Sequence, residues 1–219
     1  LCVLFIMSCI NVAGPAPSGT FQNPTVTKLT SGTSYTSPPG TDYLEVYCVG
    51  GGGGGGGANA TDAGFGGGAG GVSFKFFPPG TYTYSIGSAG SGGGSGTAGS
   101  AGGQTTFDTL IALGGAGGSG AASSLPQRGG LAGGISGTAQ VSFARQPGFP
   151  ATESSAGLYA ASGQGGSNLF GIGGAGLFTD STTIPTQNGT EMGGGGAGGV
   201  KSENGGNASD GGIYIIEHY

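Results

Sequence analysis

The sequence predicts an all-β fold, a sandwich-like protomer whose short strands are separated by glycine-rich layers. Three observations carry that expectation. Tyr43-Leu44-Glu45-Val46-Tyr47-Cys48-Val49 alternates with period two and is rich in β-branched and aromatic residues, as a half-buried strand should be. It runs directly into eight consecutive glycines, Gly50 to Gly57. No long segment shows a helical apolar period with capping residues at its ends.

The other elements follow from the same pattern. Pro15, Pro17 and Pro24 mark an extended connector. Thr25 to Thr30 and Ser34 to Thr36 read as short strands, and Ser37-Pro38-Pro39-Gly40 as a turn into the strand at Tyr43. Val72 to Phe77, the turn Pro78-Pro79-Gly80 and Thr81 to Gly87 read together as a hairpin. The two proline-glycine turns precede similar strands, which suggests an internal repeat. Gln104 to Leu113 and Ala139 to Phe143 are further strands within small-residue sequence. Gly212 to Tyr219 is a terminal strand of the kind usually tied into a sheet.

The polyglycine is either a flexible linker or a place where backbone packs on backbone. Small residues permit close chain approach and left-handed, polyglycine-II-like layers. A fixed glycine is disfavoured by about 0.5–1 kcal/mol relative to alanine. A chain with 58 glycines and few large apolar side chains therefore needs extra burial, expected from identical neighbouring chains.

Composition excludes several classes. No three-residue glycine period is sustained, which removes collagen. Only 7% of residues are charged, unlike most disordered chains. A net charge of −5 with five scattered Lys and Arg argues against nucleic acid and anionic membranes as partners. The apolar decamer Leu1 to Ile10 is too short to span a bilayer. It resembles the core of a secretory signal, and Ile6-Met7-Ser8-Cys9 approximates a lipoprotein cleavage box. The preferred expectation is a stalk end in which this strip packs against symmetry mates, giving residues 1–24 as strip and connector and 25–219 as one domain. Cys2, Cys9 and Cys48 have no metal-ligand spacing and read as buried free thiols, with a Cys2 to Cys9 or interchain bridge as the alternative.

Four stretches in order resemble a family of glycine-rich domains at the tips of bacteriophage tail fibres. They are Tyr35-Thr36-Ser37-Pro38-Pro39-Gly40 leading to Tyr43-Leu44-Glu45-Val46 and the polyglycine; Gly80-Thr81-Tyr82-Thr83-Tyr84-Ser85-Ile86-Gly87; Ala101-Gly102-Gly103-Gln104-Thr105-Thr106-Phe107; and Gly163-Gln164-Gly165-Gly166-Ser167-Asn168-Leu169-Phe170-Gly171. Trimeric fibre adhesins of predatory bacteria look like a second branch. The resemblance implies an intertwined homotrimeric fibre tip, extracellular, on a virion or a bacterial surface fibre. Its outward loops would bind a cell-surface glycan or lipopolysaccharide without entering a membrane. Asp108 stands where a glycine often follows the Thr-Thr-Phe motif, and the N-terminal decamer lies outside the resemblance.

Catalytic devices find little support. The one histidine, His218, would have to serve a triad from the last strand, and reads instead as a surface or subunit contact. Glu45 and Glu217 alternate within strands and read as solvated faces rather than a glycosidase pair. The polyglycine lacks the Lys-Ser or Lys-Thr of a phosphate loop. No enzyme activity, cofactor or metal is expected. For a sugar site the richest stretch is Phe143 to Glu153, with two prolines ordering a loop and Tyr159 after it; Leu177 to Thr182 is a second. The candidate ligand residues are Arg145, Gln146, Phe149, Tyr159, Phe178 and Asp180. The function expected is a non-enzymatic, receptor-binding adhesin, and the alternative is a structural fibre or coat protein without a ligand.

Overall fold

Strand-forming and glycine-rich sequence separate into two stacked parts in the computed structural model, which describes residues 22–121, 128–143, 145–153, 160–179, 185 and 187–219. The strands are β1 (Thr25–Leu29), β2 (Ser34–Thr36), β3 (Tyr43–Val49), β4 (Val72–Phe77), β5 (Thr81–Ser85), β6 (Thr105–Phe107), β7 (Leu110–Ala112), β8 (Ile135–Gly137) and β9 (Val141–Ser142). After them come β10 (Thr152–Glu153), β11 (Ala160–Ala161), β12 (Gly171–Ile172), β13 (Phe178–Thr179), β14 (Thr190–Glu191) and β15 (Gly212–His218). Two five-stranded antiparallel sheets, β1-β15-β3-β4-β9 and β2-β5-β6-β7-β8, form a sandwich.

Period-two alternation decides what fills the sandwich. From the first sheet come Leu44, Val46, Cys48, Phe77, Ile213 and Ile215; from the second, Tyr35, Tyr84, Phe107, Leu110 and Ala112. Burial pushes the free Cys48 thiol up, so it is inert at neutral pH. The hairpin expected over Val72 to Gly87 does not form. β4 pairs with β3 and β9, and β5 with β2 and β6, so Pro78-Pro79-Gly80 carries the chain from one sheet to the other. Phe77 and Tyr84 both point into the core, which places their strands on opposite sides of it. Pro38-Pro39-Gly40 likewise carries the chain between the sheets, from β2 to β3, in the opposite direction. The two turns lie side by side: the Ser37 amide donates to the Gly80 carbonyl at 3.0 Å, and the Gly80 amide to Ser37 Oγ at 2.9 Å.

Glu217 is also not on a solvated face. It follows Ile213 and Ile215 on the inward side of β15 and is 3% exposed. Tyr35 donates to it at 2.7 Å and Thr27 at 2.8 Å, with Thr25 and Tyr219 donating as well. Burial alone would push this carboxyl up, but the four donors outweigh it and hold the group below the usual carboxylate range. Burial and the same bond push the Tyr35 phenol up. Asp108, at the β6–β7 turn, adopts a φ of 49°, a left-handed conformation that Asp tolerates better than most residues.

The glycine-rich segments all leave the sandwich at one end, where β3, β5 and β7 finish and β4, β6, β8 and β15 begin. Gly50 to Ala58 is the axis of this second part. Its amides donate in rotation to three antiparallel segments: residues 50, 53 and 56 to carbonyls 71, 68 and 65; 51, 54 and 57 to 103, 100 and 97; 52, 55 and 58 to 209, 206 and 203. Its carbonyls accept from three parallel segments, at 90, 93 and 96, at 115, 118 and 121, and at 196 and 199. All these bonds measure 2.8–3.0 Å. A partner that recurs every third residue, with no bond inside the segment, is the signature of a polyproline-II-type helix surrounded by others. Residues 64–71 repeat the arrangement: they donate to 199, 196 and 193, to 119, 116 and 113, and to 149 and 146, and accept from 50, 53 and 56, from 130 and 133, and from 163 and 166. Both segments take these hydrogen-bond partners from their own chain.

Side chains are excluded along the axis for a steric reason. A Cβ on any of Gly50 to Gly57 would lie 1.8–2.2 Å from a neighbouring carbonyl oxygen. Gly54→Ala, aimed at the Ser91 carbonyl 2.0 Å away, is expected to destabilise by about 4 kcal/mol or to prevent folding. Gly94→Ala, whose Cβ would meet nothing closer than Thr97 Oγ1 at 3.6 Å, should stay within about 1 kcal/mol of the parent. Denaturant unfolding of the two variants measures the contrast. Glu217 makes a pH-dependent prediction. Its folded-state pKa is depressed, so its stabilisation is present above the unfolded value of about 4.3 and is lost as pH falls through the lower folded value. The cost of Glu217→Gln, followed by denaturant titration, should be greatest near neutral pH and shrink below about pH 4.

Candidate functional site

The register that buries one face of β3 and β15 turns an aromatic face outward. Tyr43, Glu45 and Tyr47 of β3 stand opposite His218, Ile216 and Tyr214 of β15, and Phe76 and Phe74 of β4 stand opposite Glu45 and Tyr47. The rings make a continuous belt. Tyr214 stacks on Phe170 at 4.9 Å, Phe170 meets Tyr47 edge-on at 5.6 Å, and Tyr47 lies 4.9 Å from Phe74. Phe74 contacts Phe76 at 4.8 Å, Phe76 contacts Tyr43 at 5.7 Å, and Tyr43 stacks on His218 at 4.3 Å. Glu45 is held within the belt. Tyr47 donates to one of its oxygens, and His218 Nε2 lies 3.3 Å from the other. Burial and the Glu45 carboxylate push the Tyr47 phenol up to about 12, so it remains a neutral donor at physiological pH.

Phe143, at the end of β9, is the residue around which this face becomes a site. It lies 5.7 Å from Tyr47 and lines three adjoining hollows. The first, about 380 Å³, has an apolar floor of Tyr47, Phe170 and Tyr214 with Val26, Leu169 and Ile216 at its sides. The second, about 370 Å³, is bordered by Arg145, Gln146, Ser167, Asn168 and Leu169. The third, about 460 Å³, continues past Arg145 to Ser142 and Ala132. The three share Phe143, the first two also share Leu169 and the last two Arg145; taken together as a trough, they run from a mainly apolar hollow to a mainly polar one. Partly buried rings beside the polar side chains of Arg145 and Gln146 suit the two faces of a sugar, whose C–H side stacks and whose hydroxyls bond.

The glycine lattice holds the polar end rigid. Gln146 donates its amide to the Ser167 carbonyl at 2.8 Å and accepts from the Ala69 amide at 3.1 Å, and its exposed side chain has no hydrogen-bond partner among the described residues. Arg145 makes one long side-chain bond, 3.4 Å to the Phe143 carbonyl. Asn168 is structural: its Nδ2 donates to the carbonyls of Gly70 at 3.2 Å and Gly193 at 3.3 Å, and its Oδ1 accepts from the Phe170 amide at 2.8 Å.

Of the six candidate residues, the structure brings Arg145 and Gln146 together. Phe149 does not join them. Its amide donates to Gln164 and its carbonyl accepts from Gly66, so Gln146 to Phe149 is a lattice segment rather than the expected loop. Pro147 fits because its fixed φ suits this helix type. Phe178 lies toward the far end of the lattice, in the small sheet β10-β11-β13. Tyr159 and Asp180 lie outside the described residues, as do Cys2 and Cys9. Sequence reasoning missed Tyr47, Phe170 and Tyr214; alternation within β3 and β15 was the available signal for two of them. Among the described residues no group of three His, Cys, Asp or Glu could hold a metal ion.

Residues 27–216 match the profile of a protein family described as a glycine-rich domain. A search of curated proteins found no match. Two of the polar side chains at the trough, Arg145 and Asn168, predict a clear contrast by thermal unfolding. Arg145→Ala should change stability by less than about 0.5 kcal/mol, whereas Asn168→Ala, which takes the partner from the Gly70 carbonyl and the Phe170 amide while Gly193 keeps its bond from the Gly70 amide, should cost about 2 kcal/mol.

Proposed function

The chain belongs to the glycine-rich domain family, and from that footing we propose that it is a non-enzymatic, receptor-binding adhesin of a trimeric fibre tip that recognises carbohydrate on a target cell. The observation that carries this reading is the trough over Phe143, with its aromatic floor and, at one end, Arg145, held by one long bond to the Phe143 carbonyl, beside the exposed side chain of Gln146. Stacking with a few placed hydrogen bonds is how proteins without metals hold sugars. The lattice behind it supports the same reading, because a frame already fixed before binding loses little conformational freedom when the ligand arrives.

Gly50 to Ala58 take their hydrogen-bond partners from their own chain. In the proposed trimer the subunits therefore meet through other surfaces. Resemblance to the tips of phage tail fibres supports an extracellular position.

Two measurements test the proposal. Light scattering of the full chain should give three times the protomer mass, and a single-protomer mass at high dilution would remove the trimer. A glycan array should give signals that fall at least about tenfold with Phe143→Ala, on the scale of a lost stacking contact. An array blank for every glycan would instead favour a purely structural fibre or coat protein.

A further inference from the structure

The charges around the trough are unevenly compensated. At its apolar end Lys28 Nζ lies 3.7 Å from Glu191 Oε2 and 5.5 Å from the centre of the Tyr214 ring. Further along the belt Glu45 is engaged by Tyr47 and His218. Arg145, at the junction of the second and third hollows, has no carboxylate within ion-pair distance among the described residues. It is the one uncompensated charge lining the trough among those residues. A guanidinium presents a planar fork of donors that matches a carboxylate in a bidentate pair. The net charge of −5 on the whole chain opposes an anion only weakly at contact, since charges more than about 8 Å apart are screened at physiological salt.

We propose that the trough takes an acidic oligosaccharide, seating the carboxylate of one sugar on Arg145 beside Gln146 while a neighbouring sugar lies on Phe143, Tyr47 and Phe170. The proposal rests on the adhesin reading and specifies its ligand class. Polarity fixes the direction of the chain: the acidic sugar lies at the lattice end, away from Glu45, and the less polar face of the next sugar covers the belt.

The test uses the full chain and matched probes, oligosaccharides ending in a uronic acid and the methyl esters of the same compounds, which keep the shape and remove the charge. The acids should bind roughly 10–100-fold more tightly than the esters, the range expected of a charge-assisted hydrogen-bonded pair. Arg145→Ala should abolish that preference while leaving the melting temperature unchanged, and Arg145→Lys should keep only part of it, with a steeper loss in salt. Equal binding of acids and esters, or a preference that survives in Arg145→Ala, would overturn the acidic-ligand assignment and leave the adhesin reading standing. Failure of every glycan to bind would overturn both.

Discussion

A backbone without side chains has amide and carbonyl groups to satisfy and almost nothing else to offer its surroundings. Gly50 to Ala58 meets that constraint by handing successive amides, in threefold rotation, to segments at 65–71, 97–103 and 203–209. Buried polar groups left unpaired would each cost on the order of 1–3 kcal/mol. The segment is therefore stable only when its neighbours are all in place. The same closeness forbids a Cβ, since the space where one would stand is already occupied by a carbonyl oxygen about 2 Å away. Glycine is here the residue that lets hydrogen-bonded helices approach from every side, and its conformational cost is offset by the number of bonds that approach allows.

The sandwich and the lattice depend on one another at their seam. Strands fix where each glycine segment starts, and the hydrogen-bond rotation fixes where it goes. Thr105 joins the two parts: its buried hydroxyl donates to the Val49 carbonyl at 2.6 Å and accepts from the Gly87 amide at 3.0 Å, linking β6 to the last residue of β3 and the first glycine after β5. Beyond the seam, segments 146–149 and 163–167 carry Arg145, Gln146, Ser167 and Asn168 to the rim of the aromatic face. The candidate site thus lies where a sheet that supplies rings meets a lattice that supplies rigid polar positions.

Much of the fold was legible because period-two alternation is a local signal. β1, β2, β3 and β15 fall where the side-chain pattern puts them, and the absence of a helical period held throughout the described chain. Pairing was not legible. Pro78-Pro79-Gly80 looks like a hairpin turn, and only the competing claims of β9 on β4 and β2 on β5 show that the chain crosses between sheets there. Glu217 was misread because its alternation is correct but its face depends on the donors that Thr25, Thr27 and Tyr35 bring from other strands. The lattice was legible as a possibility of composition, but its six-neighbour arrangement depends on segments far apart in sequence. At the site, Arg145 and Gln146 stood out as polar residues in small-residue surroundings. The rings of Tyr47 and Tyr214 read as strand residues, because nothing local reveals that Phe143 and Phe170 come to rest beside them.

Native-state hydrogen exchange of the Gly50 to Ala58 amides, measured at concentrations low enough to separate any assembly, addresses the central claim most directly. If the lattice is closed within one chain, these amides should exchange only through global opening, with protection equal to that of β3 and β15 and independent of protein concentration. Exchange at the rate of an unstructured chain, or protection that appears only as concentration rises, would contradict it.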